Sequence, residues 1–220
     1  FTIPLASGPS NGSSYKFKAQ PVTVSITNAV RTGTATATYA IEVASDAAFA
    51  NKVFTKDSIA EGTGGTTSVT LPNLPAANGN VTYYWRWATT IDGVTSGTSA
   101  TQNFVVQQQI IVGTPSGVSP ANALTTQELR PTFSWKNASR QGAVGAITYL
   151  FQLSASSAFT TTIASVTVAE GAGGGTTGAN GTTSWTPTSD LAGGTIFWRV
   201  QASDASNAET GSFKIGRAHV

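Results

Sequence analysis

Thr38-Tyr39-Ala40-Ile41-Glu42-Val43, followed by Phe49, recurs 110 positions later as Thr148-Tyr149-Leu150-Phe151-Gln152-Leu153, followed by Phe159. Tyr39, Ile41 and Val43 alternate with Ala40, Glu42 and Ala44; Tyr149, Phe151 and Leu153 alternate with Leu150, Gln152 and Ser154 in the same register. A period of two marks a strand buried on one face. Working outward, Ala60-Glu61-Gly62 matches Ala169-Glu170-Gly171 at a separation of 109. Tyr84-Trp85-Arg86-Trp87 matches Phe197-Trp198-Arg199-Val200 at 113, and Asn103-Phe104 matches Ser212-Phe213 at 109. Loops absorb length changes more readily than strands. The drift therefore places an insertion around Gly173 to Thr183 of the second copy and a compensating shorter loop near Ser203 to Gly211. The chain reads as two modules, 1–107 and 113–214, each with about seven short strands spaced by Gly, Pro and Asn. Val22-Val24-Ile26 and Phe133-Trp135 supply earlier strands, and no stretch carries a 3.6-residue period.

Composition agrees. Of 220 residues 10% are charged and 40% hydrophobic, while Thr and Ser number 35 and 23, and Cys and Met are absent. Coiled coils, disulfide scaffolds and Cys-ligated zinc modules are excluded. No apolar run reaches the roughly 18 residues of a membrane helix, so no membrane insertion is expected. A net charge of +2 gives no basic patch for nucleic acid. The lack of Met reads as an excerpt of a longer protein. Phe1-Thr2-Ile3 aligns with Phe104-Val105-Val106, which makes residues 1–5 a candidate last strand of an upstream module. Residues 215–220 back-translate as an in-frame read-through of a sequencing adapter, preceded by a codon that permits Lys214; they are set aside, and with them the only histidine, His219. The segment Gln107 to Thr114, rich in Ile, Val and Gln, reads as a stiff joint rather than a flexible tether.

Three stretches carry a resemblance. Pro131 with Phe133-Ser134-Trp135, then Tyr149 to Ser154 with Phe159, then Leu191 with Trp198-Arg199-Val200-Gln201-Ala202, resemble the fibronectin type III and related immunoglobulin-like modules of bacterial secreted and surface proteins. The first copy departs from the pattern: Ile26 stands where Trp135 stands, and Trp87 and Thr89 replace Val200 and Ala202. In the second copy Ile196 replaces the tyrosine, Tyr83 in the first, that in the family often pins the corner before the sixth strand. The resemblance implies an all-β chain of two tandem antiparallel Greek-key β-sandwiches, located extracellularly or on a bacterial cell surface.

Chemistry is scarce in the sequence. Without Cys, and with His219 set aside, nucleophilic triads and zinc or copper sites lack their residues. Glu61 and Glu170 are the only acids at matching places, each before a Gly-rich loop, and read as turn or edge residues. Those loops lack a following helix and a Lys-Ser/Thr ending, so no phosphate fingerprint is met. The junction offers no acid nearer than Asp92 and Glu128 for calcium. No cofactor or metal is expected. Arg86 and Arg199 point outward on the sixth strand, beside Glu42 and Gln152 of the third, and are expected to make a Glu42–Arg86 ion pair and a Gln152–Arg199 contact. With the outward rings Tyr84 and Phe197 they are the candidate ligand-facing residues.

The sequence thus reads as non-catalytic spacer and adhesion-type modules of a larger bacterial surface or secreted protein, whose partners are other modules of the same polypeptide. The alternative is a module binding a polysaccharide or a surface protein, accessory to a hydrolase domain elsewhere.

Overall fold

Period-two runs rich in Val, Thr and aromatics favour extended backbone, because branched and ring side chains pack well on a pleated surface. The structure, a computed structural model, describes residues 1–220, the side chain of Val118 excepted, and divides into two units, Phe1–Gln109 and Ile110–Val220. The first unit carries β1 (Leu5–Gly8), β2 (Ser13–Tyr15), β3 (Thr23–Thr27), β4 (Ala37–Ala44), β5 (Lys52–Ala60), β6 (Thr66–Thr70), β7 (Val81–Ile91), β8 (Val94–Thr95) and β9 (Gln102–Val106). The second carries β10 (Ile111–Val112), β11 (Ser116–Ser119), β12 (Leu124–Thr125), β13 (Phe133–Lys136), β14 (Arg140–Gln141), β15 (Ile147–Ser154), β16 (Ala164–Ala169), β17 (Thr182–Trp185), β18 (Thr195–Asp204), β19 (Glu209–Thr210) and β20 (Lys214–His219).

In the first unit a sheet ordered β1-β3-β6 faces one ordered β2-β9-β7-β4-β5, with β8 paired to β7. The second repeats this as β11-β13-β17 against β12-β20-β18-β15-β16, with β19 paired to β18 and a small β10-β14 pair besides. These are Greek-key sandwiches, antiparallel except where β2 meets β9 and β12 meets β20 in parallel.

Each unit closes its own core. The first is built on Val24, Ile26, Tyr39, Ile41, Trp85, Trp87 and Phe104; the second on Phe133, Trp135, Tyr149, Phe151, Trp198 and Val200. The indole N–H groups of Trp85, Trp87, Trp135 and Trp198 are buried with no hydrogen-bond partner among the described residues. Each costs about 1–3 kcal/mol, which the roughly 150–250 Å² of ring surface taken out of water offsets.

The structure gives the ends and the register in detail. The Thr2 N–H donates to Val30 O at 2.9 Å, as the Gly113 N–H does to Ser139 O at 2.7 Å. Phe1-Thr2-Ile3 therefore corresponds to Val112-Gly113-Thr114, the opening of a module, rather than to Phe104-Val105-Val106, and Leu5 is already the first residue of β1. At the other end residues 215–219 belong to β20, where Trp198 faces Gly216 and Ile196 faces Ala218. In the first unit Trp85 faces Gln102 and Tyr83 faces Phe104. Ala218 is thus the counterpart of Phe104, and Phe213 lies outside the core. A Cβ on Gly216 would sit 2.0 Å from the Trp198 ring, so the register brings the smallest residue under the largest ring.

The loop bookkeeping changes with it. Glu61 to Thr67 becomes Glu170 to Thr183, which is the insertion expected around Gly173. The compensation falls between Trp185 and Trp198, which is shorter than the Val69-to-Trp85 connection it matches, and not near Ser203 to Gly211. Gln107, Gln108 and Gln109 donate backbone N–H bonds to Tyr15 O, Asn80 Oδ1 and Ala76 O within the first unit, while Ile111 and Val112 pair with Gln141 and Arg140 in the second.

Candidate functional site

The candidate residues sit on the outer face of the larger sheet of each unit. Alternation along β7 buries Tyr83, Trp85 and Trp87 and leaves Tyr84 and Arg86 half-buried; β18 does the same with Phe197 and Arg199. Arg86 lies opposite Glu42 and donates from Nε to Oε2 at 2.8 Å and from Nη2 at 2.7 Å. Arg199 lies opposite Gln152 and donates from Nε to Oε1 at 2.7 Å. Both cross-strand contacts expected from sequence are present. Each guanidinium is also covered by a ring: Arg86 lies 4.0 Å from the Phe49 centroid, and Arg199 lies 4.3 Å from Phe159 and 4.4 Å from Phe213.

Phe49 and Phe159 reach those positions through left-handed backbone, φ 58° and 51°, a conformation a bulky residue adopts at a cost of about 1–3 kcal/mol. Neighbouring turns hold it. Asp46 accepts N–H bonds from Ala48, Ala50 and Asn51 at 2.7–3.0 Å, and those bonds hold its carboxyl below the usual range. Ser156 accepts from the Ala158 N–H at 3.2 Å in the second unit. The outer-face arginines are clamped by these contacts, leaving Tyr84 and Phe197 as the half-exposed rings beside them.

A second cluster occupies one end of each sandwich, and sequence reasoning saw its acid and its tyrosine but not its arginine. Arg31 donates to both Glu61 oxygens, Nη1 to Oε1 at 2.7 Å and Nη2 to Oε2 at 2.5 Å, and its Nε donates to Ala35 O at 2.7 Å. The Tyr39 hydroxyl donates to Glu61 at 3.1 Å and accepts from the Ala29 N–H at 2.9 Å. In the second unit Arg140 binds Glu170 through Nη2, with Nη1 at 3.4 Å. The Tyr149 hydroxyl donates to Glu170 at 3.3 Å and accepts from the Ala138 N–H at 2.9 Å. Around each cluster an asparagine and a threonine tie down the Gly-rich loop. Thr67 donates to Asn28 and accepts from the Gly62 N–H; Thr183 donates to Asn137 and accepts from the Gly171 N–H. Glu170 reaches one step further and accepts the Gly178 N–H at 3.0 Å.

Electrostatics follow from the contacts. The hydrogen bond from Arg31 holds Glu61 below the usual carboxylate range. Burial alone would raise Glu170, but Arg140, the Gly178 N–H and Tyr149 outweigh it and the net shift is downward. Burial pushes Tyr149 up to about 12. Asp204, fully buried at the end of β18, accepts from Gly145, Ser206 and Asn207; those donors overcome its burial and drive its pKa down. Its counterpart in the first unit is Ile91. Glu42, Asp46, Glu61, Glu170 and Asp204 are therefore ionised and internally paired near neutral pH. Among the described residues no group of three or more His, Cys, Asp or Glu side chains could hold a metal ion.

No family model matches the chain, and no curated protein matches it. Solved structures that it resembles include the fibronectin(III)-like modules of Clostridium thermocellum CbhA, at 12% identity and a TM-score of 0.32, covering 99% of this chain and 94% of that one. A two-domain fibronectin type III segment of chicken tenascin aligns at 13% identity and a TM-score of 0.36, covering all of both chains. The BSP domain of a biofilm-associated protein aligns at 15% identity and a TM-score of 0.28, over 29% of that chain. The likeness concerns the fold, and the strand order described above carries that assignment: two tandem β-sandwiches of the fibronectin type III kind.

Proposed function

We propose that the two units are spacer modules of a larger extracellular, bacterial cell-surface or secreted protein, each of which resists being pulled open. The observation that supports this most is the parallel pairing, in each unit, of an early strand with the last strand. β2 runs parallel to β9, Ser13 to Tyr15 beside Phe104 to Val106; β12 runs parallel to β20, Leu124 and Thr125 beside Ala218 and His219. Drawing the ends of a unit apart pulls such a pair in opposite directions. Its cross-strand hydrogen bonds then carry the load together rather than opening one at a time. Side chains extend both pairs: Asn11 Oδ1 accepts the Asn103 N–H at 2.8 Å, and Asn122 Oδ1 accepts the Arg217 N–H at 3.0 Å. The partners this implies are other modules of the same polypeptide, and no catalysis is assigned to these residues.

Single-molecule stretching tests the reading, because forced unfolding reports the unfolding barrier directly. Two separate events are expected, each lengthening the chain by roughly 35 nm. Tyr15→Pro, which removes an N–H on the side of β2 that faces β9, where the Tyr15 carbonyl accepts the Gln107 N–H, is expected to lower the force of one event and leave the other. A single joint event, or extension without a measurable barrier, would contradict it. A second reading, a polysaccharide or surface-protein ligand on the outer face, is favoured by the half-exposed rings of Tyr84 and Phe197. Retention on insoluble polysaccharide that Tyr84→Ala abolishes would support it.

A further inference from the structure

We infer that β16 is an association edge, where a second copy of this chain pairs antiparallel about a two-fold axis through Thr167 and joins the larger sheets of two molecules. β16 is the last strand of its sheet and pairs with β15 along one side, from Thr148↔Ala169 to Leu153↔Ala164, without a break in register. Its sequence, Ala-Ser-Val-Thr-Val-Ala, has no charge and no proline. An open edge of this composition is a ready template for another strand.

The equivalent edge of the first unit is blocked. β5 carries Lys52, Lys56 and Asp57, all exposed, and its register slips by one residue between Ile59 and Lys56, where Ser58 has φ 53°. Charges and a bulge are the usual means of keeping an edge strand single. β16 has neither. The opposing sheet does not cover it either: a cleft of about 620 Å³ runs alongside, walled by Val166 to Ala169 on one side and by Ser184, Trp185 and Thr186 on the other.

The occupant follows from the strand's own pattern. Opposite residues in an antiparallel pair share a face. An axis on Thr167 therefore sets Val166 against Val168 on the inner side and Ser165 against Ala169 on the outer side, with Thr167 against itself. Ser-Val-Thr-Val-Ala has the same small, branched, hydroxyl pattern read in either direction, so it is its own complement, and no like charges meet. Ile163, 52% exposed immediately before the strand, adds apolar surface. The contact is isologous and closes at the dimer. It is also small, well under the roughly 1,200 Å² of a standard interface, so the expected dissociation constant is on the order of 100 µM.

Sedimentation of the full chain over a concentration series tests this. A reversible monomer–dimer equilibrium is expected, weakened at least about tenfold by Thr167→Lys, which places two ammonium groups on the axis. Thr55→Lys on β5 is expected to leave it unchanged. A monomer at every concentration up to the millimolar range, open-ended association, or equal loss with Thr55→Lys would overturn the proposal. Near-UV circular dichroism checks that both variants fold. Should Thr167→Lys fail to fold, amide exchange of the unaltered chain decides: β16 amides slow at high concentration if the proposal holds, and unchanged rates overturn it. Either result leaves the spacer reading intact, since that is read from the unfolding of each unit.

Discussion

In the first unit a tryptophan packs on the core tyrosine from the larger sheet: Trp87 of β7 meets Tyr39 edge-on, centroids 6.4 Å apart. In the second a tryptophan meets the tyrosine from the smaller sheet: Trp135 of β13 lies 5.4 Å from Tyr149. Ile26 and Val200 fill the places left over, and all four side chains are fully buried. The large ring has changed sheets while the volume between them is kept, which a close-packed core tolerates far better than a lone change of size. The outer face shows the same freedom, with Glu42 and one ring around Arg86, and Gln152 and two rings around Arg199. The Arg–Glu–Tyr cluster shows none; both units keep the same three residue types. An ion pair close to the interior cannot lose one partner without stranding the other, whereas a ring or a surface charge can be exchanged.

The largest expected effect comes from ending the chain at Lys214. That removes most of β20 and bares Trp198 and Ile196, each worth about 2–5 kcal/mol when truncated singly. The second unit is expected to lose its melting transition while the first keeps its own, read by calorimetry. A second unit that melts unchanged would show that residues 215–220 contribute nothing to the sandwich.

The exchanged tryptophan comes next. Trp87→Val in the first unit is expected to cost about 3 kcal/mol and Ile26→Trp about 1–3 kcal/mol by overpacking. Together they rebuild the arrangement of the second unit, and chemical denaturation should find the double variant at least about 1.5 kcal/mol more stable than the sum of the two predicts. Simple additivity would mean the two positions do not share one volume.

The clusters differ in depth: the Glu170 side chain is 7% exposed and that of Glu61 20%. Arg140→Ala is therefore expected to cost about 3 kcal/mol, and Arg31→Ala about 1–2 kcal/mol. Equal costs would remove burial as the explanation. The smallest effect is on the acid limb. Glu170 is held below its ordinary value in the folded state, so near pH 4 the unfolded chain binds the proton first. Its contribution is complete above the unfolded value and is lost as pH falls through the folded one. Glu170→Gln should flatten that loss for the second unit and leave the acid profile of the first as it was.

Much of this was legible in the sequence and some was not, for identifiable reasons. Period-two alternation located β4, β7, β15 and β18 and the Glu42–Arg86 pair, because a half-buried strand writes its faces into every second residue. The arginines of the two clusters carried a signal that a search for acids passes over: Asn28-Ala29 with Arg31 and Gly33 recurs as Asn137-Ala138 with Arg140 and Gly142, at the 109-residue separation of Glu61 and Glu170. The fall from 110 at Phe49 and Phe159 to 109 at those glutamates is the extra residue of the β5 bulge. The register of β20 was hidden, since Phe213 matches Phe104 in type while the packing needs Gly216 under Trp198. Asp204 stands where the first copy has Ile91, so the repeat could not point to it.

Scanning calorimetry of the whole chain beside residues 1–109 and 110–220 made separately tests the central claim, that each unit is held by its own core and its own cluster. Two transitions, each matching that of its isolated half, are predicted. A single shared transition, with neither half folding alone, would contradict it.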